Sequence, residues 1–447
     1  MKIDYESKLR DLTVDPLWPR LDRASRRTVE AMAWRYRLSH QEFRRLVAAA
    51  RDLRMWGEKP LARWWREYRG SPGRRAVFAK ADRGGARSGS PAGGAPRDKK
   101  GFLRDFGAWF DAVQGAEKVY RRRLLPGRRR RRPRIELERS EKAIHGLCPV
   151  ASPDTLCCRL RTIDAVESCP FGCTYCTIQT FYGDRAVFDA DFARKLAAIR
   201  VDPREFARFG SGQSSDSLVW GNRYGVLSEL LGFAAAHPNI LLELKSKSDR
   251  VGCLLRHGAP RNVVCSWSLN PDTIVRAEEH GTPVLRKRLR AARRVADRGI
   301  PVAFHFHPMI YYSGWREEYE AVGRRVMELF RPEEVLFISF GSVTLIKPVI
   351  RALRMRGGRT RILQMSMARD PKGKLTYPDS VKIALFRHMR GVFSPWHEEV
   401  YFYLCMEKRA IWEAVFGFAY GSNREFERDF GGRTLGRITA AGNGAGT

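Results

Sequence analysis

The chain has 447 residues, of which 43% are hydrophobic, so it can form a sizeable core and is not a wholly disordered protein. No run of about 18 apolar residues predicts a membrane span, and the charged start Met1–Glu6 lacks the apolar stretch of a secretory signal. We therefore expect a cytoplasmic protein without a membrane partner. In that compartment, its nine cysteines are more typical of metal binding or catalysis than of a disulfide framework.

The positive charge is concentrated in the first third of the chain. The whole chain carries a formal net charge of +33, and residues 1–140 hold 37 Lys and Arg against 17 Asp and Glu, a local net charge of +20. Lys and Arg that neutralise phosphates release counterions, so this excess favours nucleic acid over an anionic membrane as a partner. A solvated basic surface that aids solubility is the alternative interpretation.

Residues 1–80 are predicted to form a basic helical region. Ser25 is expected to begin one helix, and Ser39 with Glu42 three residues later is a capping box for the next. Residues 81–100 are rich in Gly, Pro and Ser and contain no large apolar residue, which predicts a flexible linker.

Residues 101–145 are predicted to hold one amphipathic helix followed by an arginine-rich arm. An uninterrupted run of guanidinium groups cannot pack in a core, so we expect the arm to contact phosphates, with a charged linker as the alternative. The candidate phosphate-binding residues are Arg128, Arg129, Arg130, Arg131 and Arg132.

Residues 146–395 alternate short β-rich stretches with helical patterns, and residues 396–447 are predicted as a C-terminal helical extension and tail. The predicted strands are Arg159–Val166, Phe206–Gln213, Ile240–Lys247, Asn262–Asn270, Val302–Met309 and Val335–Ser342. The predicted helices are Asp191–Arg200, Tyr224–Ala236, Ser248–His257, Val284–Arg298, Glu317–Phe330 and Pro348–Arg356. Six strand–helix units in series predict an α/β fold with a parallel sheet, a partial (β/α)6 TIM-like barrel.

Three cysteines follow the first predicted strand with the spacing C-x3-C-x2-C. Cys169, Cys173 and Cys176 lie in a loop that also contains Pro170 and Gly172. Three thiolates so placed can hold a [4Fe–4S] cluster and leave its fourth iron open to another ligand. Zinc and incidental buried thiols are the alternatives, but zinc usually takes four ligands in paired spacing, and no second pair follows Cys176 closely.

Polar residues recur on one face of the predicted strands. Side chains two apart in a strand point to the same side, so the following sets are each expected to share a face: Ser211 and Gln213; Glu243, Lys245 and Lys247; Ser266, Ser268 and Asn270; His305 and His307; and Ser339. Because ligands of parallel α/β folds bind at the carboxyl ends of the strands, these faces predict a polar pocket there. His305 and His307 are candidate substrate-binding residues, with structural hydrogen bonding as an equal alternative.

The stretch Cys169–Gly183 resembles the cluster loop of spore photoproduct lyases, which are radical S-adenosylmethionine (SAM) enzymes of DNA repair. Further blocks agree in the same order across residues 155–390: Phe209–Asp216, Ser266–Asp272, His280–Thr282 followed by Arg288 and Leu289, Gly299–Val302 and Pro308–Tyr319. The resemblance implies a barrel of the radical SAM type and, as cofactors, a [4Fe–4S] cluster and SAM. It also implies cleavage of SAM to a 5′-deoxyadenosyl radical, with an electron donor such as flavodoxin or ferredoxin.

The resemblance also implies roles for individual residues. Ser215 and Asp216 correspond to positions that hold the amino-acid end of SAM, and Lys245 corresponds to a lysine that meets its carboxylate. Ser268 corresponds to a serine near the ribose, and Tyr175 lies beside the adenosyl group. Tyr377 and Lys382 correspond to residues on the substrate side.

Two positions depart from the pattern of this family. Where its members return a hydrogen atom from a cysteine, this chain has Gln213, and where they carry a tyrosine after the third cluster cysteine, it has Thr177. Because Gln is a poor hydrogen-atom donor, reversal of the spore photoproduct itself is not implied. Other thiols, namely Cys148, Cys253, Cys265 and Cys405, are alternative donors or small buried apolar residues.

The favoured hypothesis is a lyase-like radical SAM enzyme that acts on DNA lesions by hydrogen abstraction. One alternative is a radical SAM enzyme that acts on RNA or protein. The other is a nucleic-acid-binding protein whose iron–sulfur cluster is structural or acts as a sensor.

Overall fold

The computed structural model describes residues 5–54, 60–71, 98–120, 133–148, 154–356, 359–370 and 372–443. The chain divides into two compact units, one formed by residues 1–118 and 350–366 and the other by residues 119–349 and 367–447. Most of the linker predicted at 81–100 lies outside the described residues, as do the arginines Arg128–Arg132. The end of that prediction is wrong, because Asp98 caps a helix that begins at Lys99. Within those residues, no helix combines the length and the apolar character needed to cross a membrane.

The first unit is helical, as predicted. Its helices are α1 (Tyr5–Leu12), α2 (Arg23–Tyr36), α3 (His40–Arg54), α4 (Pro60–Gly70) and α5 (Lys99–Gly115), with short 3-10 helices at Trp18–Arg20 and Ile362–Gln364. The capping box of α3 is confirmed, because the Ser39 amide donates to Glu42 Oε2 at 2.6 Å. Helix α2 begins earlier than expected, since the side chain of Asp22 accepts from the amides of Ala24 and Ser25 and caps it.

Residues 350–366 belong to this helical unit although the barrel segment surrounds them in sequence. The buried carboxylate of Asp52 in α3 accepts two hydrogen bonds from Arg354, from Nε at 2.8 Å and from Nη2 at 2.6 Å. Gln364 Nε2 donates to the carbonyl of Asp52 at 3.0 Å. A paired carboxylate of this kind satisfies a charge that burial alone would penalise.

The second unit is mixed α/β. Its strands are β1 (Arg134–Glu138), β2 (His145–Leu147), β3 (Thr155–Leu156), β4 (Arg161–Ile163), β5 (Val166–Glu167), β6 (Gly172–Cys173), β7 (Arg185–Asp189), β8 (Ala207–Ser211), β9 (Ile240–Ser246), β10 (Val263–Ser268), β11 (Glu279–His280), β12 (Val302–Met309), β13 (Val335–Ser342), β14 (Thr344–Leu345), β15 (Ala368–Arg369), β16 (Leu375–Thr376), β17 (Tyr401–Leu404) and β18 (Glu407–Lys408).

The helices between these strands follow the predicted alternation. They are α6 (Ile178–Phe181), α7 (Phe192–Ala197), α8 (Val226–Ala236), α9 (Gly252–His257), α10 (Asp272–Glu278), α11 (Leu285–Ala296), α12 (Trp315–Leu329), α13 (Lys347–Arg356), α14 (Asp379–Val392), α15 (Arg409–Phe416) and α16 (Asn423–Asn443), with 3-10 turns at Arg223–Gly225, Pro332–Glu334 and Ser394–Trp396. In α11, the apolar stripe that includes Leu289, Ala292 and Ala296 is buried, as its spacing predicts.

An eight-stranded sheet forms the centre of this unit, in the order β17-β13-β12-β10-β9-β8-β4-β2. The six predicted strands lie side by side and pair in parallel, which confirms the (β/α)6 arrangement. Strand β17 adds a seventh parallel strand beside β13, in a region where only helix was expected. Strand β2 pairs antiparallel with β4 at the other edge.

The sheet is curled into a partial barrel. Arg208 in β8 donates from Nη2 to the hydroxyl of Tyr403 in β17 at 2.9 Å, although four strands separate β8 from β17 in the sheet. A flat sheet with strands about 4.8 Å apart would keep these side chains far from each other. Curling therefore closes a polar interior that the six predicted strands and β17 share.

Candidate functional site

The three cysteines lie in a loop that is tied to the chain before α11. Cys169 and Cys173 are buried and Cys176 is partly exposed. Strand β6 pairs antiparallel with β11, so that Cys173 lies opposite Glu279 and Gly172 opposite His280. The amide of Thr174 donates to the carbonyl of Glu278 at 2.8 Å. The cysteine loop is thus held as an added strand and not as an open turn.

Two adjacent glutamates, Glu278 and Glu279, hold the side chains of this loop. Glu278 accepts hydrogen bonds from Thr174 and, at 2.8 Å, from the Tyr120 hydroxyl. Glu279 accepts from the hydroxyl of Tyr175, and from Asn270 Nδ2 at 2.8 Å. Both carboxylates are buried, so each bond replaces water that the charged group has lost.

Arg288 completes this frame with a fully buried ion pair to Glu279. Its Nη2 lies 2.5 Å from Glu279 Oε2, and both side chains have no exposed surface. The other N–H groups of Arg288 donate to the carbonyls of Pro283 and Ser268, both at 2.9 Å, and to Thr282 Oγ1 at 2.7 Å. Burial favours the neutral acid, but the charge of Arg288 prevails and lowers the pKa of Glu279 to about 2.

Burial in the loop favours the neutral thiols of Cys169 and Cys173 over their thiolates. Burial raises the pKa of Cys173 to about 12, and the charges of Lys247 and Arg288 act in the opposite direction. Burial, and next the charge of Asp216, raises the pKa of Cys169 well above its usual range. The thiols are therefore protonated by themselves, and a bound metal group would have to displace those protons.

Ser168 supplies an independent observation beside the first cysteine. Its hydroxyl is fully buried and has no hydrogen-bond partner among the described residues, and its backbone has a φ of +77°. Such strain and such an unsatisfied group are both typical of functional loops. Within the described residues, no three His, Cys, Asp or Glu side chains converge as ligands of a single ion. A cubane cluster is larger than one ion, and its thiolates lie correspondingly further apart.

Asp216 follows β8, and both of its carboxylate oxygens accept hydrogen bonds. Its Oδ1 accepts from the amides of Leu218 at 3.1 Å and Val219 at 2.9 Å and from Ser246 Oγ at 2.8 Å, and its Oδ2 accepts from the Lys247 amide at 2.6 Å. Ser215 accepts from Trp220 Nε1 at 2.8 Å. The carboxylate of Asp216 thus fixes the end of β9 against the turn after β8.

Two lysines lie at the carboxyl end of β9, and they reach different surroundings. Lys247 Nζ lies 5.8 Å from the ring centroid of Tyr175, and its charge acts on both Cys173 and Glu279. Lys245 lines the cavity described below, together with Gln213 and Glu243. The lysine beside the cysteine loop is therefore Lys247, whereas the predicted role belongs to Lys245.

A polar cavity of about 140 Å³ occupies the barrel interior. Gln213, Lys245, His305 and His307 line it, as the strand faces predict. Gly212, with a φ of +101°, turns the chain so that Gln213 reaches the cavity, and a Cβ there would lie 2.7 Å from the Lys245 carbonyl. Ser211 differs from the expectation, because it bonds to Ser217 at 2.8 Å and the interior position of β8 belongs to Arg208.

A chain of hydrogen bonds crosses the floor of this cavity. Arg208 Nη2 donates to Glu243 Oε2 at 2.7 Å, and Glu243 Oε1 contacts His305 Nε2 at 2.5 Å. His305 Nδ1 lies 2.5 Å from Ser339 Oγ, which lies 3.0 Å from His307 Nε2. Burial, and then the charge of Lys245, lowers the pKa of His305 to about 4. A neutral His305 can donate to Glu243 and accept from Ser339 at the same time.

The remaining predicted site residues lie outside this cavity lining. Lys382 forms a buried ion pair with Glu407 at 2.8 Å. Tyr377 is buried, and its hydroxyl accepts from the Tyr311 amide at 3.2 Å. The carbonyl of Thr177 accepts from Thr180 Oγ1 at 2.7 Å at the start of α6. Ser268 ends β10 and is buried, and its carbonyl accepts from Arg288.

Four residues that organise the site were assigned no role from the sequence: Glu278, Glu279, Arg288, which belongs to a block that resembles the family, and Arg208. Signals for them exist in the sequence. Arg208 interrupts an apolar strand between Ala207 and Phe209, and Glu278 and Glu279 directly precede the His280–Thr282 block. A charged residue inside a buried element usually has a paired partner, and that rule would have identified them.

The chain is similar to spore photoproduct lyases. A family model described as Spore photoproduct lyase matches residues 162–372. The spore photoproduct lyase of Geobacillus sp. (strain Y412MC61) is 26% identical over 246 residues, which is 51% of this chain and 71% of that protein. The spore photoproduct lyase of Bacillus subtilis (strain 168) is 27% identical over 165 residues, 35% of this chain and about half (48%) of that protein.

A solved structure shows that the fold is shared. It is a spore photoproduct lyase mutant with bound AdoMet and dinucleoside spore photoproduct, and it superposes with a TM-score of 0.52 at 20% identity. The superposition covers 69% of this chain and 95% of that one. The residues that the family model matches, 162–372, include the cysteine loop and the strands from β8 to β13.

Proposed function

Since this chain is a spore photoproduct lyase-like member of the radical SAM superfamily, we propose that it binds a [4Fe–4S] cluster and SAM and acts on lesions in DNA. That cofactor pair is characteristic of the family. The single observation that carries the proposal is the loop of Cys169, Cys173 and Cys176, held against β11 by Glu278, Glu279 and Arg288.

The residues of the loop fit such a cluster by their chemistry. Cys169, Cys173 and Cys176 would hold it, and Lys247 and Arg288 would offset the negative charge of the thiolates. Ser168 has a buried hydroxyl that is available to donate toward the bound group. When bound, the cluster supplies the electron that cleaves SAM to a hydrogen-abstracting 5′-deoxyadenosyl radical.

The surrounding residues would position SAM and exclude water. Tyr175, fixed by Glu279, presents its ring beside Lys247, and the Lys247 ammonium would contact an anionic group of the cofactor there. Ser215, Asp216, Lys245 and Ser268 remain proposed SAM contacts. The existing bonds of Asp216 to backbone amides make it a support of the β8 and β9 ends as well.

DNA is the proposed substrate for two reasons. The structure with TM-score 0.52 holds a dinucleoside spore photoproduct, and the first third of this chain carries a net charge of +20. The lesion would enter the cavity beside Gln213, with His305 and His307 as proposed contacts, while Tyr377 and Lys382 remain proposals on the substrate side. A damaged base is the cheapest to extrude from a duplex, because its pairing and stacking are already weakened.

Anaerobic reconstitution with iron and sulfide tests the cofactor proposal. The reduced protein is expected to convert SAM to 5′-deoxyadenosine, and Cys173→Ala is expected to abolish both iron binding and this product. Cys253→Ala is the matched control, because Cys253 lies on α9 outside the cysteine loop and the cavity lining. Zinc in place of iron and sulfide, or a cluster that produces no 5′-deoxyadenosine, would contradict the proposal.

The substrate is tested separately with ultraviolet-irradiated DNA, undamaged DNA, RNA and protein extracts. A lesion that disappears only with SAM and reductant identifies the DNA activity, whereas SAM cleavage that only RNA or protein stimulates would assign the substrate there. Binding is measured across salt concentrations. If the arginines Arg128–Arg132 bind phosphates, their joint replacement by Ser lowers the salt slope by roughly 0.9 for each phosphate that is no longer neutralised.

A further inference from the structure

Four cysteines outside the cysteine loop meet at the same interior cavity. Cys148, Cys157, Cys158 and Cys405 line it, next to Arg208 and Lys245. They come from three separate segments, before β4, after β2 and after β17. Of the nine cysteines, only Cys253 and Cys265 belong to neither this group nor the cysteine loop. Such a concentration of thiols, with charged neighbours, calls for a chemical explanation.

A short strand pairing brings the segments that carry two of these cysteines side by side. Strand β18 pairs antiparallel with β3, and Glu407 lies opposite Leu156. Cys405 and Cys158 lie two residues beyond this pair on their segments, past the ends of the two strands, and both line the cavity. Their thiols interact, because Cys158 raises the pKa of Cys405 beyond the increase that burial causes. Both residues are partly exposed, unlike Cys157.

Disulfide geometry distinguishes between the two partners available to Cys158. Adjacent residues such as Cys157 and Cys158 have Cα atoms about 3.8 Å apart, below the usual disulfide range of about 4.4–6.8 Å. Cys405 belongs to a different segment that lines the same cavity, so no shared peptide bond fixes its separation from Cys158. Of the two, Cys405 is therefore the partner that can meet the disulfide range.

The charges around Cys158 favour its thiolate over those of its neighbours. A hydrogen bond from Cys157, and then the positive charge of Arg208, lowers the pKa of Cys158. Arg208 is nearly fully buried, and its Nε and Nη1 have no hydrogen-bond partner among the described residues. The other ionisable groups that line the cavity are Cys148, Cys157, Glu243, Lys245, His305, His307, Tyr403 and Cys405. A guanidinium with unused donors next to a thiol is typical of a reactive cysteine.

We propose that Cys158 and Cys405 form a redox-active dithiol site that reacts with low-molecular-weight disulfides. The Cys158 thiolate attacks one sulfur of the small disulfide, whose S–S bond breaks and releases one thiolate. The Cys405 sulfur then attacks Cys158, expels the second thiolate and passes its proton to it. In sum, two protein thiols and one small disulfide become one protein disulfide and two small thiols, with two electrons transferred to the reagent.

The experiment treats the full chain, with its cofactors reconstituted, with oxidised glutathione under anaerobic conditions. Remaining thiols are blocked with iodoacetamide, and peptides are mapped without reduction. A peptide pair linked through Cys158 and Cys405 is expected. Cys405→Ser should stop the reaction halfway, with glutathione retained on Cys158, and Cys158→Ser should carry at least tenfold less glutathione at Cys405.

The matched controls are Cys253→Ser, which should form the same link, and Cys157→Ser, which should also keep it. A first adduct on any cysteine other than Cys158, or a Cys157–Cys158 link, would overturn the assignment. So would a fully reduced wild-type cavity after treatment. Peptide mapping reports each cysteine separately, and SAM cleavage is measured apart, so failure of the dithiol and failure of the proposed function are distinguishable.

Discussion

Two buried Arg–Glu pairs organise this barrel, and they differ in how completely they are satisfied. Arg288 donates to Glu279, to two carbonyls and to a hydroxyl, whereas Arg208 donates only from Nη2, to Glu243 and Tyr403. The guanidinium of Arg208 instead lies over aromatic rings, 4.4 Å from the centroid of Phe430 and 4.7 Å from that of Phe337.

This difference suggests that the Arg288–Glu279 pair has a structural role and that the Arg208–Glu243 pair belongs to a reactive cavity. The Glu279 pair closes around the cysteine loop, and every guanidinium nitrogen of Arg288 donates a hydrogen bond, which suits a part of the site that must not move. The Glu243 pair faces a cavity of about 140 Å³, large enough to admit water or part of a ligand. The N–H groups of Arg208 that have no partner among the described residues therefore lie beside a cavity where a substrate or a thiolate can accept hydrogen bonds from them.

The largest expected effect is that of Glu279→Gln. The amide cannot neutralise Arg288, and breaking a buried pair costs about 3–5 kcal/mol of stability. Glu243→Gln is the matched change in the second pair and should cost only about 1–3 kcal/mol, because cavity water can solvate Arg208. Urea unfolding followed by circular dichroism measures both. Equal losses for the two variants would remove the distinction between the pairs.

The two pairs should also lose stability in different pH ranges. The folded pKa of His305, about 4, lies below its unfolded value of 6.5, so unfolding takes up a proton between these values and stability falls as the pH decreases. The slope is about 1.4 kcal/mol per pH unit, or about 3 kcal/mol in total. Glu279 contributes above pH 4.5, and its contribution is lost toward pH 2.

The variant His305→Gln isolates the first range. Its stability should vary less than that of the wild type between pH 6.5 and 4, while the loss below pH 4.5 persists. Glu243, Lys245, Arg208 and Ser339 surround His305, so the comparison is made between slopes and not between absolute stabilities. Parallel curves for variant and wild type would show that His305 does not titrate on unfolding.

A smaller effect is expected for Ser339→Ala, which interrupts the hydrogen-bond chain between His305 and His307. Its hydroxyl lies within hydrogen-bond distance of both imidazoles, so its loss leaves a buried acceptor and a donor unpaired, at a cost of about 1–3 kcal/mol. Thermal unfolding detects this destabilisation. Ser217→Ala, which removes a hydroxyl bonded to Ser211 outside the cavity floor, is the control and should cost less.

The smallest expected effect separates the two lysines at the end of β9. Lys247→Met should weaken SAM binding about tenfold, equivalent to about 1.4 kcal/mol, because it removes a charge-assisted interaction near Tyr175. Lys245→Met should change SAM binding less and alter the cavity instead. Isothermal titration of the reconstituted protein with SAM compares them. A stronger effect at Lys245 would assign the cofactor contact to the position that the resemblance suggests.

The sequence by itself determined the repeating α/β units, the cysteine motif and the helical N-terminal region. These features depend on local periodicity and on residue spacing, which a single strand or helix displays along its own length. Strands β12 and β13 have the predicted bounds, and α13 begins one residue earlier than predicted. Strand β17 was missed because four residues, Tyr401–Leu404, are too few to show a period.

Only the tertiary structure decided which charged groups meet. Arg208 and Tyr403 are 195 residues apart, and Asp52 and Arg354 are 302 apart, and no local pattern relates them. The curl of the sheet assigns the interior of β8 to Arg208 instead of Ser211, and it gathers thiols from three segments at one cavity. Which residue pairs with a buried charge depends on how the whole sheet closes, because closure determines which side chains lie within hydrogen-bond distance of it.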